Sequence, residues 1–269
     1  MKKKVIFLLL FIALIMVLLN GSYVKSLFVM GIYSTYHNVH SLMHEKDITI
    51  EMPGGTSTLK KDWYPFVMIF NDRSFRSIVG EDIDLTILYN FGAFKDGRST
   101  IYDENSDYYN SFYGAYVVSD EEQGRSYGFE RGQIQEEEIS VLASHDIKNL
   151  VLRSIGCSEP QVEFQSLEKP KQVDYLSYDN WIRIDTSIYA NSSIHKYHEE
   201  HIAYIQYGKP PKHYTGSDFP KITLLGRMYC RYFPEYDVTI LLYIIAPNNQ
   251  VIEETDREIL SNTKIFAKE

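Results

Sequence analysis

The sequence predicts an α+β fold. An N-terminal transmembrane helix precedes a largely antiparallel, tyrosine-rich β-sheet domain with two amphipathic helices, at about 135–155 and 253–266. Three observations predict it. The chain opens on lysines followed by an apolar run, several later segments alternate polar and apolar residues as strands do, and two segments show the three–four spacing of an amphipathic helix. We expect one domain over 46–269, with a candidate boundary between two lobes near 158–176.

The first 24 residues determine the predicted location. Three lysines at positions 2–4 precede the apolar run Val5–Leu19, and the next charge is Lys25. The uncharged stretch 5–24 is long enough to span a bilayer core of about 30 Å as a helix. The lysines favour a cytoplasmic N-terminus. We therefore expect a single-pass protein of the cell membrane, with a signal-anchor over 1–24, a juxtamembrane segment over 25–45 and the C-terminal domain outside.

Cleavage near residue 21, followed by secretion, is the alternative. Signal cleavage needs small residues one and three positions before the cut, and Leu19 is too large for the outer position. A lipoprotein is excluded because the first cysteine is Cys157, far from the apolar run. Cys157 and Cys230 could form a disulfide outside the cell, but we favour two buried free thiols.

Composition is that of a folded, acidic protein. The 269 residues are 44% hydrophobic and 23% charged, and include 22 tyrosines against 2 tryptophans. Without the three leading lysines, 36 acidic residues face 27 − 3 = 24 basic ones, a balance of −12. This charge argues against nucleic acid as a partner, which requires a basic surface. The tyrosines favour a β-rich domain over an aromatic groove for glycan or peptide, since they are scattered among strand-like segments.

Alternating patterns predict the strands, and a change of period predicts the helices. The predicted strands are 46–52, 63–70, 82–91, 112–118, 126–130, 161–167, 181–188, 221–233 and 236–246. The helix at 135–155 has apolar residues at three–four spacing, acids at 136–138 in its first turn, and Gly156 at its end. The last two long strands form a predicted hairpin about Pro234-Glu235.

One histidine cluster is the predicted metal site. His195, His198 and His201 lie with Glu199 and Glu200 within seven residues. A zinc protease motif needs two histidines four residues apart on a helix, and this cluster has a spacing of three. We therefore expect a polar loop there, and keep the three histidines as the candidate metal ligands.

Other candidate sites are incomplete. His37, His40 and His44 would share a helical face, but no fourth metal ligand is evident. The loop at Asp103, Asn105 and Asp107 resembles a calcium loop only in its first half. Cys157 with His145 or His195 could form a nucleophile and base, although Cys157 does not begin a helix that would lower its pKa. The paired acids Asp82/Asp84 and Glu199/Glu200 could serve a glycosidase. The sequence requires no cofactor.

Three functions follow as hypotheses. The first is a membrane-anchored, non-enzymatic binding or regulatory protein of the cell envelope, held through residues 5–24 and recognising an envelope protein or glycan. The second is a tethered hydrolase whose metal or carboxylate site lies around His195–His201. The third is an assembly factor of an exported machine.

Overall fold

The computed structural model describes residues 2–19, 32, 35–53, 63–71, 83–92, 107–108, 110–120, 126–153, 157–192 and 219–267. Its helices are α1 (Lys2–Leu19), α2 (Leu42–Glu45), α3 (Glu136–His145), a π-helix (Asp146–Leu152), α4 (Asn249–Glu258) and a 3₁₀ turn (Leu260–Asn262). Its strands are β1 (Ile48–Glu51), β2 (Trp63–Asn71), β3 (Ile83–Gly92), β4 (Phe112–Asp120), β5 (Phe129–Glu130), β6 (Gln133–Ile134), β7 (Val162–Ser166), β8 (Lys171–Tyr175), β9 (Tyr178–Asn191), β10 (Lys221–Phe233), β11 (Val238–Ala246) and β12 (Lys264–Ala267).

An eight-stranded antiparallel sheet is the centre of the structure. Its strand order is β2-β3-β4-β11-β10-β9-β7, and β8 also pairs with β9. The longest pairings are β9 with β10 and the hairpin of β10 with β11, in which Cys230 lies opposite Leu241. Strands from both sides of the candidate boundary at 158–176 thus share one sheet.

Both faces of this sheet are covered, because side chains alternate along each strand. On one face, Met228 and Cys230 of β10 pack with Leu142 of α3. On the other face, Tyr229 and Phe233 join a cluster that includes residues of α2, α4, β1 and β12. The strands of the sheet therefore lie between a layer made by α3 with the π-helix and a layer made by α4 with the β1–β12 pair.

The predicted helix at 135–155 is present as two joined segments. Three glutamates occupy the first turn of α3, where the helix dipole favours negative charge. Glu138 also accepts a hydrogen bond from the backbone N–H of Gly128, at 2.8 Å. From Asp146 the winding changes to a π-helix of seven residues. Such segments are rare and are frequent at functional sites.

The predicted helix at 253–266 is wrong in position and in its C-terminal half. α4 begins earlier, because the Asn248 side chain caps it by accepting from the N–H of Val251 at 3.0 Å. It ends at Glu258, and Lys264–Ala267 is the strand β12, paired with β1. Pairing with a strand more than 200 residues away along the chain, Glu51 opposite Lys264, overrides the local helical spacing.

The predicted transmembrane helix over 1–24 is wrong, and so is the predicted single-pass location. α1 has 18 residues and begins with three lysines. The remaining stretch, Val5–Leu19, rises only about 22 Å at the helical 1.5 Å per residue, less than a bilayer core of roughly 30 Å. In the parts of the chain that the structure describes, no helix has both the length and the apolarity that a membrane crossing requires.

The predicted α+β class is also wrong. The described chain is mostly antiparallel β-sheet with few helices. The antiparallel, tyrosine-rich sheet domain is the part of that prediction that the structure retains.

Many tyrosines join the sheet to its neighbours. Among the described residues, eight tyrosine hydroxyl groups donate hydrogen bonds to other parts of the chain, those of Tyr108, Tyr113, Tyr116, Tyr127, Tyr175, Tyr178, Tyr229 and Tyr232. Tyr178, for example, reaches the carbonyl of Ile265 on β12. An aromatic ring that packs in the core and ends in a hydroxyl suits such layer-to-layer contacts.

Candidate functional site: a pocket beneath the π-helix

A cleft opens between the π-helix and the sheet. It has a volume of about 570 Å³, counted to its opening into solvent. We call it the π-helix pocket, and its lining residues are Phe112, Tyr116, Asp146, Ile147, Val151, Ile188, Ala190, Asn191, Leu224, Tyr243 and Ile245. Most of these side chains are apolar, and three polar groups, those of Asp146, Tyr116 and Tyr243, are grouped together.

The pairing register of four strands brings the sheet residues together. Ile188 of β9 lies opposite Leu224 of β10, and Phe112 of β4 lies opposite Ile245 of β11. Residues two apart on one strand share a face, so Ala190 and Tyr243 lie on the same side of the sheet as these pairs. The alternation of side chains along β4, β9, β10 and β11 therefore places these residues on one face of the sheet, where they form the floor of the pocket.

Gly114 makes room for the ring of Tyr243. It is paired with Tyr243 across β4 and β11. A Cβ atom at position 114 would lie 2.6 Å from the Tyr243 hydroxyl and would also overlap the carbonyl oxygen of Leu88. The absence of a side chain lets the Tyr243 ring lie over β4, where it stacks on Tyr116 with ring centroids 4.9 Å apart.

Asp146 is the polar centre of the pocket. It is the first residue of the π-helix and only 1% of its surface is exposed. Its Oδ2 accepts a hydrogen bond from the hydroxyl group of Tyr116, at 2.6 Å. That distance is at the short end of the range for an O–H···O hydrogen bond. Tyr243 is hydrogen-bonded in turn to Tyr116, which gives a chain of three polar groups, Tyr243, Tyr116 and Asp146.

Both phenols are held in the protonated form. Burial raises the pKa of Tyr116 well above its usual value, and the negative charge of Asp146 raises it further. Burial likewise raises the pKa of Tyr243, with the charge of Asp146 again adding to it. Asp146 therefore places a negative potential on both rings inside the pocket.

Asn191, at the end of β9, has a structural role. Its Oδ1 accepts from the backbone N–H of Gln161 at 2.7 Å, and its Nδ2 donates to the carbonyl of Phe219 at 3.2 Å. These bonds hold the chain on either side of the pocket wall.

A smaller cavity of about 290 Å³ adjoins the pocket. The two share five lining residues, Tyr116, Ile147, Ile188, Tyr243 and Ile245. The smaller cavity extends along the sheet under α3, where Gly226 of β10 leaves space between Thr186 and Ile188. Together they form an apolar tract between one helical layer and the sheet.

The predicted metal ligands His195, His198 and His201 lie outside the described residues, as do Glu199, Glu200, Asp82, Asp103 and Asn105. That metal site stays a prediction. Asp107 is described, and its backbone carbonyl accepts from Asn248 at 3.1 Å. His40 contacts the carbonyl of Tyr36 through Nδ1 at 2.8 Å. Within the described residues no group of three or more histidine, cysteine or acidic side chains could hold a metal ion.

The two cysteines are buried free thiols, as favoured over a disulfide. Cys157 packs with Leu152 and Val162, and Cys230 packs with Leu142 and Tyr243 in another cluster. Burial raises the pKa of both thiols. A thiol that stays protonated is a poor nucleophile. His145 contacts Asn149 at 3.1 Å, and burial lowers its pKa, with Lys148 and Arg153 adding to the effect.

The sequence prediction missed Asp146, although a signal for it was present. Ile139 and Leu142 define the apolar face of the predicted helix, and a residue four positions after Leu142 falls on that face. An acid at such a position is buried only with a hydrogen-bond partner. The partner, Tyr116, lies 30 residues earlier on β4 and cannot be identified from spacing.

Comparison with protein families, with curated proteins and with solved structures finds no match to this chain.

Proposed function

We propose that this protein is a binding protein and that the π-helix pocket takes a small, mostly apolar molecule. The single observation that carries the proposal is the Asp146–Tyr116 hydrogen bond within a largely apolar pocket that opens to solvent. Ligand sites in proteins are concave and mostly apolar, with a few polar groups that orient the ligand.

The π-helix supports this proposal. It supplies Asp146, Ile147 and Val151 to the pocket, and it follows α3 without a break. The wider winding of a π-helix is less favourable than the α-helix, so such segments persist mostly where function uses them. Here the change of winding begins at Asp146, the residue at the polar centre.

Binding is favoured over catalysis by the chemistry of the lining. Tyr116 and Tyr243 have raised pKa values and remain protonated at neutral pH, so neither serves as a base there. Among the described lining residues there is no cysteine, histidine, lysine or serine, and the carboxyl of Asp146 is engaged by the hydroxyl of Tyr116. The hydrolase built on His195–His201 remains a hypothesis about residues outside the described part.

Methyl NMR of the whole chain tests the proposal. Three isoleucines, Ile147, Ile188 and Ile245, line the pocket, whereas Ile50 and Ile240 pack on the other face of the sheet. With isoleucine δ1 methyls labelled, benzene is titrated as a minimal apolar probe. We expect saturable shifts of the three pocket methyls and none at Ile50 or Ile240.

A filling variant and a matched control sharpen the test. Val151→Phe places a ring at the pocket wall, whereas Val141→Phe makes the same change on α3, at a side chain that is 40% exposed and does not line the pocket. Benzene binding is expected to be lost in the first variant and kept in the second. Equal shifts on both faces of the sheet, or none at the pocket methyls, would refute the proposal.

A further inference from the structure

We propose that the ligand is a molecule built on an unbranched alkyl chain, which lies along the sheet and reaches from the π-helix pocket into the adjoining cavity under α3. This inference rests on the proposed function and deepens it by naming the class of ligand. It concerns the shape of the apolar part of the ligand, which is an extended chain and not a compact ring.

The first argument is the length of the space along the sheet. On β10, Leu224 lines the pocket, whereas Gly226 and Met228 line the adjoining cavity. These residues are two apart, so they lie in a row on one face of the strand. Four steps of about 3.3 Å make this row roughly 13 Å long. The pocket and the cavity thus follow each other along the strand.

The helical layer above them follows the same line. Val151 of the π-helix lines the pocket, Ala143 of α3 lines the adjoining cavity, and Ile147, midway between them, lines both. Residues four apart share one face of a helix, and eight residues rise on the order of 10 Å. The two spaces therefore lie end to end between the helical layer and the sheet, and an extended chain matches this shape better than a compact ring does.

The second argument is that polar groups along this space are already bonded within the protein. The Thr186 hydroxyl donates to the carbonyl of Gln165 at 2.9 Å, and the guanidinium of Arg227 donates to three carboxylates. The hydroxyl of Tyr116 is likewise engaged by Asp146. A polar chain entering here would lose its hydrogen bonds to water and would have to compete with these bonds, whereas an alkyl chain requires no hydrogen bonds.

The third argument is the glycine at the passage between the two spaces. Gly226 lies between Leu224 and Met228, and a Cβ atom there would lie 2.9 Å from Cδ1 of Ile188 and 2.9 Å from Cγ2 of Thr186. Ile188 lines both spaces and Thr186 lines the cavity. The missing side chain therefore leaves room for a chain to pass. Both neighbouring atoms are side-chain ends that can shift slightly, so alanine is tolerated at position 226 but narrows the passage.

A series of alcohols, 1-hexanol, 1-octanol and 1-decanol, tests the inference, because they share a head group and differ only in chain length. Each is titrated into the whole chain, with the methionine ε and isoleucine δ1 methyls labelled. We expect each added pair of methylenes to tighten binding about tenfold, as burial of the added groups requires. With 1-decanol, the methyls of Ile147 and Met228 should shift with one dissociation constant, while Met43 and Ile50 on the other face of the sheet should not shift.

Two variants assign the gain to the passage. Gly226→Ala narrows it, so we expect 1-decanol to bind at least tenfold more weakly than to the wild type, and 1-hexanol to bind as before. Ser187→Val is the control, because it also adds one non-hydrogen atom, at the neighbouring strand position whose side chain points to the opposite face of β9 and lines neither space. This variant should bind all three alcohols as the wild type does.

The outcomes separate this inference from the proposed function. If benzene and 1-hexanol bind but longer alcohols bind no more tightly and leave Met228 unshifted, the pocket is real and the extended chain is wrong. Equal losses for 1-hexanol and 1-decanol in Gly226→Ala would also overturn it. If neither benzene nor any alcohol binds, the proposed function itself fails. Should Gly226→Ala not fold, the length series and the Met228 shift in the wild type still decide.

Discussion

Arg227 Nη1 of β10 and Asp256 Oδ2 of α4 lie 2.9 Å apart in the interior, where Arg227 is 3% exposed. The same guanidinium donates through Nε to Asp185 and through Nη2 to Glu253, each at 2.8 Å. Asp256 also accepts from the hydroxyls of Tyr175 and Tyr229, both at 2.6 Å. One arginine thus links two strands of the sheet to the helix that covers them.

We predict that Arg227→Met strongly destabilises the fold. Methionine fills much of the space, but Asp256 would be left in the interior without its cation, and Asp185 would keep only its pair with Arg183. Removing one partner of a buried ion pair costs about 3–5 kcal/mol, because the remaining charge is uncompensated. Urea denaturation of the purified protein, followed by circular dichroism, measures the change in the free energy of unfolding.

Arg257→Met is the matched control for this substitution. Arg257 lies on the same helix as Asp256, is 63% exposed and pairs only with its neighbour Glu258 in the described ion pairs. An exposed pair of this kind contributes little, so the expected change is within about 0.5 kcal/mol. Equal effects of the two substitutions would contradict a buried network.

Acid is predicted to weaken the same network. Burial by itself would raise the pKa of Asp185, but hydrogen bonds and charges from Arg227 and Arg183 outweigh it and hold the pKa below its usual value. The hydrogen bond from Arg227 likewise lowers the pKa of Glu253. A carboxyl with a lowered pKa in the folded state stabilises the fold above its unfolded pKa, and this stability is lost as the pH falls through the folded value.

The usual values for aspartate and glutamate, about 3.9 and 4.3, set the window of that loss. We expect the free energy of unfolding to be level near neutral pH and to decline below about pH 4.5. Urea denaturation at a series of pH values between 3 and 7 measures it. In Arg227→Met the decline should be shallower, since Arg227 lowers both pKa values more than Arg183, which remains. An unchanged slope would count against this assignment.

The Tyr116–Asp146 bond gives a third prediction. Tyr116→Phe keeps the ring that stacks on Tyr243 but removes the donor to a buried carboxylate. Leaving a buried acceptor with one partner fewer costs about 1–3 kcal/mol. Thermal and urea denaturation should show this loss, while the stacked ring keeps the strands paired.

Tyr232→Phe is the control for Tyr116→Phe. Tyr232 also donates to an aspartate, Asp237, at 2.8 Å, but this pair is only half-buried at the β10–β11 turn. Water can replace the lost hydroxyl there, so the expected cost is about 0.5 kcal/mol. A larger cost at Tyr232 than at Tyr116 would show that Asp146 is solvated and not at the base of an apolar pocket.

The strands were the part of the fold most accessible to sequence. Alternation predicts strands at 82–91, 112–118 and 221–233, and the structure has Ile83–Gly92, Phe112–Asp120 and Lys221–Phe233. Such a pattern is local and its period is distinctive, so a strand can be recognised from it without knowing the partner strand. The antiparallel sheet follows from it.

The two ends of the chain show where local patterns are insufficient. At the N-terminus, an uncharged stretch of 20 residues suggests a span, yet the described helix ends at Leu19 and begins with lysines. At the C-terminus, Lys264–Ala267 has helical spacing, but its contact with β1 makes it a strand. At the C-terminus, a pairing partner distant in sequence decides the structure of the segment.

The pocket was not predictable from spacing because five elements form it. Asp146, Tyr116 and Tyr243 come from the π-helix, β4 and β11, and only the register of β4 against β11 places Gly114 opposite Tyr243. A shift of one residue between these strands would place Tyr116 and Tyr243 on opposite faces of the sheet. Clustered histidines such as His195, His198 and His201 are visible along the chain, whereas a buried pair such as Tyr116 and Asp146 is not.

The two thiols provide the fourth prediction, which concerns reactivity. Cys230 lies at the middle of β10 with no exposed surface, and Cys157 is 3% exposed. Burial raises the pKa of both thiols, so little thiolate forms at pH 8. Because both thiols are buried, a reagent reaches them only when the protein opens locally. We expect an aromatic disulfide reagent, which releases a yellow product when it reacts with a thiol, to react slowly with the native protein. In urea, where the protein is unfolded, both thiols should react rapidly.

Single variants order the two reactions. In Cys157→Ser the remaining thiol, Cys230, lies between paired strands under α3, and its exposure requires the sheet itself to open. In Cys230→Ser the remaining thiol, Cys157, follows the π-helix outside any strand, so a smaller opening exposes it. Cys157 should therefore react faster. If Cys230 reacts first, or if either thiol reacts within seconds in the native protein, the packing of the layer that carries the pocket is not the one described.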